Sequence, residues 1–176
     1  PDIIEIDGID LSGPLSNSEA TDVRQALLDH KVIFFRDQEL TPEDHLRVSA
    51  LFGNISRVQF VQSREGYPDI IEIVKEPEDA GKLNFGGAWH SDTSYEKEPA
   101  LGSALYALET PPYGGDTLWT NMQAAYAALS DGMKAMLEGL RGKFTAAIMA
   151  KRTGHVGDVP YTFHPIVRTH PETGRK

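Results

Sequence analysis

The sequence contains no cysteine. That absence excludes disulfides, thiolate nucleophiles, iron–sulfur clusters and cysteine-bound structural zinc, so any metal must be held by imidazole, carboxylate or water. Long apolar runs are missing too. Stretches such as Val32-Ile33-Phe34-Phe35 fall far short of the ~20 residues a bilayer span requires. Residues 1–20 carry acids where a signal peptide would carry a basic start and an apolar run, and a reducing cytoplasm is the expected compartment. Basic blocks are equally scarce: no Lys/Arg run exceeds two, and 17 Lys+Arg face 26 Asp+Glu, a formal charge of −9 with a pI near 5.1. A field of that sign opposes phosphate-rich surfaces, so neither nucleic acid nor an anionic membrane is an expected partner.

What is present suits one globular domain of 176 residues, 40% of them hydrophobic. Ile3 to Ile6 reads as a short strand, and Ser16-x-x-Glu19 is a capping box ahead of a helix with Ala20, Val23 and Leu27 on one face. Lys31 to Phe35 reads as a buried strand. Thr41 as N-cap, Pro42 at the first helical position, acids at Glu43 and Asp44, and Gly53 as the stop mark a second helix. Strands are expected at 55–61, 69–74, 88–95, 101–108, 116–120, 143–150 and 164–170, with helices at 121–129 and 130–140 capped by Asn121 and Ser130. Pro171-Glu-Thr-Gly174 closes a turn. The expected fold is mainly β with flanking helices, a sandwich or jelly roll in preference to an alternating α/β sheet.

Among six histidines, His90-Ser91-Asp92 stands out. In a strand, residues i and i+2 project to the same face about 7 Å apart, so imidazole and carboxylate can converge on one ion. Chance alone supplies roughly 0.4 His-x-Asp triplets in such a chain, and the plain alternative is an exposed His–Asp pair on a strand. The neighbourhood strengthens the motif: Asn84-Phe-Gly-Gly87 precedes it, and Gly114-Gly-Asp-Thr-Leu-Trp-Thr-Asn121 follows. A strand pair joined through Pro111-Pro112 would return the Thr117 hydroxyl beside the pair. Gly114 and Gly115 read as a turn needing positive φ, and Leu105, Tyr106 and Trp119 read as core.

The runs Trp89-His-Ser-Asp-Thr-Ser-Tyr95, Pro111-Pro-Tyr-Gly-Gly-Asp-Thr-Leu-Trp119 and His164-Pro-Ile-Val-Arg-Thr-His-Pro-Glu-Thr-Gly174 resemble the taurine dioxygenase family of iron(II)- and 2-oxoglutarate-dependent oxygenases. The likeness extends to Asp10-Leu-Ser-Gly-Pro-Leu15 and Val32-Ile-Phe-Phe-Arg-Asp-Gln38, so it spans essentially the whole chain. It implies a double-stranded β-helix (jelly roll), incomplete within residues 1–176, which would be the N-terminal portion of a longer single domain. It implies a facial triad of two histidines and one carboxylate on iron(II), with 2-oxoglutarate as co-substrate, O2 as oxidant, and succinate and carbon dioxide as co-products. Mapped by motif, His90 and Asp92 are catalytic iron ligands, and Thr117 donates to the far carboxylate of 2-oxoglutarate. Activity is then expected to fall as His90 protonates.

Two departures follow from the same resemblance. The family's second histidine and its 2-oxoglutarate arginine lie roughly a hundred residues beyond the His164 segment, so the third ligand is expected outside this chain; residues 142–163 are also shorter than their family counterpart. His155, His164, His170 and Arg168 are expected to serve structure rather than the metal. Members that bind taurine hold it with a His, a Tyr and an Asn; counted without gaps, those positions are Val58, Val61 and Gly86. Desolvating a sulfonate without those donors would cost several kcal/mol, which favours an alkyl sulfate, a longer sulfonate or an aryloxy acid over taurine unless Asn84 replaces them. A dimer or tetramer is the implied assembly. A non-catalytic jelly-roll binding module and a hydrolytic metal site are the rival readings.

Overall fold

The computed structural model describes residues 3–76, 78 and 86–176. Strand β1 (Ile3–Glu5) runs parallel to β2 (Val32–Phe34), Ile3 opposite Val32 and Glu5 opposite Phe34. Helix α1 (Asn17–His30) makes the crossover a parallel pair requires. Residues 3–34 are thus a βαβ unit, whereas the sequence pattern favours a sandwich or jelly roll over alternating α/β. Ser16 and Glu19 exchange the reciprocal capping-box bonds, Val23 is buried at 1% exposure, and Lys31 ends the helix at φ +67. β2 is half-buried rather than buried: among the described residues it belongs to a two-stranded sheet on which α1 packs.

Helix α2 (Pro42–Ala50) starts as expected: Pro42 sits in the first turn, and Thr41 and Asp44 form a second capping box. Cross-links bind this half together. Arg24 donates to the carbonyls of Leu51 and Phe52 at 3.2 and 3.0 Å and pairs with Glu172 at 2.8 Å. Arg47 donates to the Leu11 carbonyl, while Gln38 accepts from the Leu11 amide and donates to the Ile9 carbonyl. Such side chain to backbone bonds satisfy groups that a loop would otherwise leave unpaired.

Strands β3 (Ser63–Arg64) and β4 (Tyr67–Ile71) form a bulged hairpin whose turn places Gly66 at φ +79. α2 packs against β4, with Tyr67 donating to Glu43 at 2.5 Å. Further on come α3 (Met122–Ala127) and α4 (Asp131–Leu137), capped by Asn121 and Ser130 as expected. β5 (Arg141–Thr145) pairs antiparallel with β6 (Tyr161–Pro165) across five registered positions. Between them lies α5 (Ala147–Arg152), a helix where a strand over 143–150 is expected. The run Ala146-Ala-Ile-Met-Ala150 is rich in helix formers, Thr145 accepts from the Ala147 amide, and Ala146 and Ala150 are buried.

The strands expected at 88–95, 101–108 and 116–120 carry no ladder, and the described residues form three separate two-stranded sheets rather than a jelly roll. A strand is stable only when its amides and one face find a partner. Here Leu105, expected in the core, is 66% exposed, Leu118 is 70% exposed, and Trp119 meets Phe34 edge-on at 5.9 Å while remaining largely exposed. The chain exposes 13128 Å² at 19.4 kDa, against about 8,500 Å² for a folded monomer of that mass. Gly114 and Gly115 do take the expected positive φ, at +80 and +75. No helix among the described residues is long and apolar enough to cross a membrane.

Candidate metal centre

His90 and Asp92 lie in a loop, not a strand. Ala88 donates its amide to the Gly86 carbonyl, Glu96 donates to the Thr93 carbonyl, and Thr93 takes φ +45. Thr93 Oγ1 accepts from the Ala100 amide at 2.9 Å, closing residues 93–100 into a ring. From outside, buried His164 on β6 places Nε2 2.9 Å from the Glu96 carbonyl, and Gln59 donates to the Glu96 carboxylate at 3.4 Å. The loop is therefore fixed by β6 and by the 58–61 segment, a pair of supports that sequence reasoning did not name.

Within it the two side chains converge. His90 Nε2 stands 3.1 Å from Asp92 Oδ1, each side chain about half exposed. His90 Nδ1 lies 2.7 Å from the Ala88 carbonyl, which can only accept, so Nδ1 carries the ring proton. In the neutral imidazole Nε2 then offers a lone pair towards a carboxylate oxygen. Two acceptors face each other, and the arrangement is completed by a cation: a second proton or a metal ion. Two cis ligands at about 2.1 Å from one ion stand about 3.0 Å apart, so the observed separation suits a shared octahedral centre. The backbone carbonyl behind the imidazole is the partner that orients metal-bound histidines generally. The donor set therefore fits iron(II) as two of three facial ligands. Among the described residues no third His, Asp or Glu completes a cluster with them.

The remaining expected residues are placed differently. Gly86, at φ +71, lies beside the imidazole, where an added Cβ would be 3.5 Å from His90 Cε1. In the structure it is a backbone turn against the imidazole. Val58 and Val61 are half-buried in the segment that Gln59 tethers to Glu96. Thr117 is exposed, and among the described residues no hydrogen bond joins it to His90 or Asp92. The return expected through Pro111-Pro112 fails because segments 101–108 and 116–120 do not pair, and two consecutive prolines remove two ladder donors. Asn84 lies outside the described residues. His155 packs on Phe60 at 4.8 Å, His170 accepts from the Glu172 and Thr173 amides within its turn, and Arg168 is exposed.

Two residues near the pair were not singled out from the sequence. Ser103 donates its hydroxyl to Asp92 Oδ2 at 2.6 Å. Tyr95 is 7% exposed, and its hydroxyl has no partner among the described residues. Burial, then Glu96 and Asp92, hold its pKa above the usual tyrosine value. Tyr95 closes the Trp89–Tyr95 run but has no role assigned there, and no motif distinguishes Ser103; the place of each is visible only once the loop has closed.

The model of the family described as Taurine catabolism dioxygenase TauD, TfdA matches residues 1–176, and the chain belongs to that family. A solved taurine dioxygenase from Burkholderia xenovorans superposes with a TM-score of 0.77 at 37% identity, covering 98% of this chain and 57% of that one. An alkylsulfatase from Acinetobacter baylyi is 31% identical over 98% of this chain and 57% of its own length. An alpha-ketoglutarate-dependent 2,4-dichlorophenoxyacetate dioxygenase from Burkholderia sp. (strain RASC) is also 31% identical, over 98% of this chain and 65% of its own. The chain thus spans less than two thirds of each of these relatives.

Proposed function

We propose that the protein is an iron(II)- and 2-oxoglutarate-dependent dioxygenase that hydroxylates a small organic acid next to a heteroatom, releasing succinate and carbon dioxide. The observation that carries this reading is the 3.1 Å approach of His90 Nε2 to Asp92 Oδ1, with the imidazole already committed through Nδ1 to a backbone carbonyl. Family membership and a relative named for 2,4-dichlorophenoxyacetate oxidation support it. Iron(II), when bound, would supply the open positions at which 2-oxoglutarate and O2 react. This chain's residues hold and orient: His90 offers a neutral nitrogen and Asp92 one carboxylate oxygen, while Thr117, exposed and not bonded to either, is assigned to the far carboxylate of 2-oxoglutarate by the family motif alone. The third ligand comes from outside the described residues.

The substrate class follows from the positions that the family resemblance matches to the contacts of taurine. Val58, Val61 and Gly86 bring no side-chain donor to an anionic head group, and an unpaired buried oxygen costs on the order of 1–3 kcal/mol. Alkyl sulfates, longer sulfonates and aryloxy acids, with more apolar area to bury, suit such positions better than taurine. The named alkylsulfatase and 2,4-dichlorophenoxyacetate dioxygenase support that choice. We read the assembly as a cytoplasmic dimer or tetramer, which sedimentation of the full-length protein tests.

Succinate release and oxygen uptake across a panel of sulfate esters, sulfonates, aryloxyacetates and taurine provide the decisive measurement. Turnover should need iron(II) and 2-oxoglutarate together. Product without oxygen would replace the oxygenase with a hydrolase, and ligand affinity without succinate would leave a binding module. Rapid turnover of taurine would overturn the substrate assignment alone.

A further inference from the structure

Asp92 has two carboxylate oxygens, and the structure gives them separate tasks. Oδ1 faces His90 Nε2 at 3.1 Å, while Oδ2 accepts the Ser103 hydroxyl at 2.6 Å, a length typical of a charge-assisted O–H···O⁻ bond. Ser103 is itself held in place. The ring closed by Thr93 and the Ala100 amide brings residue 103 back to Asp92. Its neighbour Ala104 presents its carbonyl 3.0 Å from His45 Nε2 on α2. Beyond that, the Tyr106 hydroxyl donates to the Gln38 carbonyl and accepts from the Leu40 amide, both at 3.1 Å. Segment 103–106 is thus anchored to the α2 region although it joins no sheet.

We infer that Ser103 is a positioning residue for the metal centre, its hydroxyl occupying Asp92 Oδ2 so that the carboxylate binds iron through Oδ1 alone. The inference rests on the metal-binding reading of His90 and Asp92. Its physical content is a count of coordination positions. A facial triad works because three adjacent positions stay open. A carboxylate free to bind through both oxygens takes one of them and blocks either the chelating co-substrate or O2. A hydroxyl donor on the outer oxygen removes that option and fixes the direction of the remaining lone pairs. Hydrogen-bond partners of metal-bound carboxylates are typically worth 10–100-fold in affinity or activity.

The test uses the full-length protein without oxygen, with Co(II) titrated by its visible absorption and with the charge-transfer absorption of the Fe(II)–2-oxoglutarate complex as a second readout. Wild type is compared with Ser103→Ala, Ser103→Thr, His90→Ala and Asp92→Ala. Ser103→Ala is expected to weaken Co(II) binding at least about 10-fold and to diminish the charge-transfer band, with the metal-free melting temperature unchanged, since residue 103 is exposed. Ser103→Thr, which retains the hydroxyl, should stay within about threefold of wild type. Wild-type affinity and spectrum in Ser103→Ala, with binding lost in His90→Ala and Asp92→Ala, would overturn the role of Ser103 and leave the metal centre standing. Equal loss in Ser103→Ala and Ser103→Thr, or a matching fall in metal-free stability, would equally overturn it. Unchanged binding in His90→Ala and Asp92→Ala would remove the metal reading itself.

Discussion

Residues 3–50 and residues 101–120 have similar apolar content to offer and use it differently. The first segment folds into β1, α1, β2 and α2, buries Leu11, Val23 and Val48, and stitches its loops with Gln38, Arg47 and Arg24. The second leaves Leu101, Leu105, Leu108, Leu118 and Trp119 exposed and forms no ladder. The difference is one of range. A helix meets its backbone bonds within itself and needs only a cap and one apolar stripe. A strand meets none of them alone. Yet the less regular region reaches the candidate site: Ser103, anchored through its neighbours to the α2 region, donates to Asp92, and the loop ahead of it carries the His90–Asp92 pair.

This contrast predicts that function and folding stability separate along the chain. The largest effect should come from Asp92→Ala or His90→Ala in the full-length protein. Succinate formation falls by about 10³-fold or more, on the order of 4 kcal/mol in the barrier, while thermal unfolding changes little because both side chains are half exposed. A large drop in stability would show that the pair holds the loop rather than a metal. Val23→Ala should do the reverse. It removes buried methyl groups at the α1 face and should cost about 2 kcal/mol in denaturant unfolding, with the Co(II) affinity of the folded protein unchanged.

A smaller loss, about 1 kcal/mol, is expected for Thr41→Ala, which deletes the α2 cap and exposes the Asp44 amide. If residues 103–106 are truly seated on α2, this variant should also weaken metal binding slightly, whereas Ser16→Ala at α1 should not. The smallest effect concerns pH. The Tyr67 hydroxyl, followed by the backbone, holds the Glu43 carboxyl below its usual range. A carboxylate with a depressed native pKa stabilises the fold above its unfolded pKa, and that contribution is lost as pH falls through the depressed value. Tyr67→Phe should therefore flatten the acid limb of the stability profile; an identical limb would show that the contact is too solvated to matter.

Legibility followed the same division. The Ser16 capping box and the Thr41, Asn121 and Ser130 caps were readable because each is a donor–acceptor contact completed within four residues, and Pro42 because its fixed φ suits a first turn. The His90–Asp92 pair was readable for a different reason than the one that operates. Strand geometry was the expected cause of convergence, whereas the pair lies in a loop, its imidazole held by the Ala88 carbonyl. The helix at 147–152 was missed because the apolar run from 143 to 150 fits a strand and a helix equally by composition. The jelly roll was expected from resemblance, and segments 101–108 and 116–120 remain unpaired because pairing depends on residues distant in sequence.

The amino-acid order alone determined the helix starts, the positive-φ glycines at 114 and 115, and the triplet that puts an imidazole and a carboxylate two residues apart. Only the tertiary structure decided which nitrogen of His90 meets the Ala88 carbonyl, which oxygen of Asp92 the other nitrogen faces, and that Ser103, eleven positions away, holds the second oxygen. Each of those outcomes depends on a hydrogen bond whose partner is brought near by a closed loop, and a one-dimensional pattern carries no record of such closure.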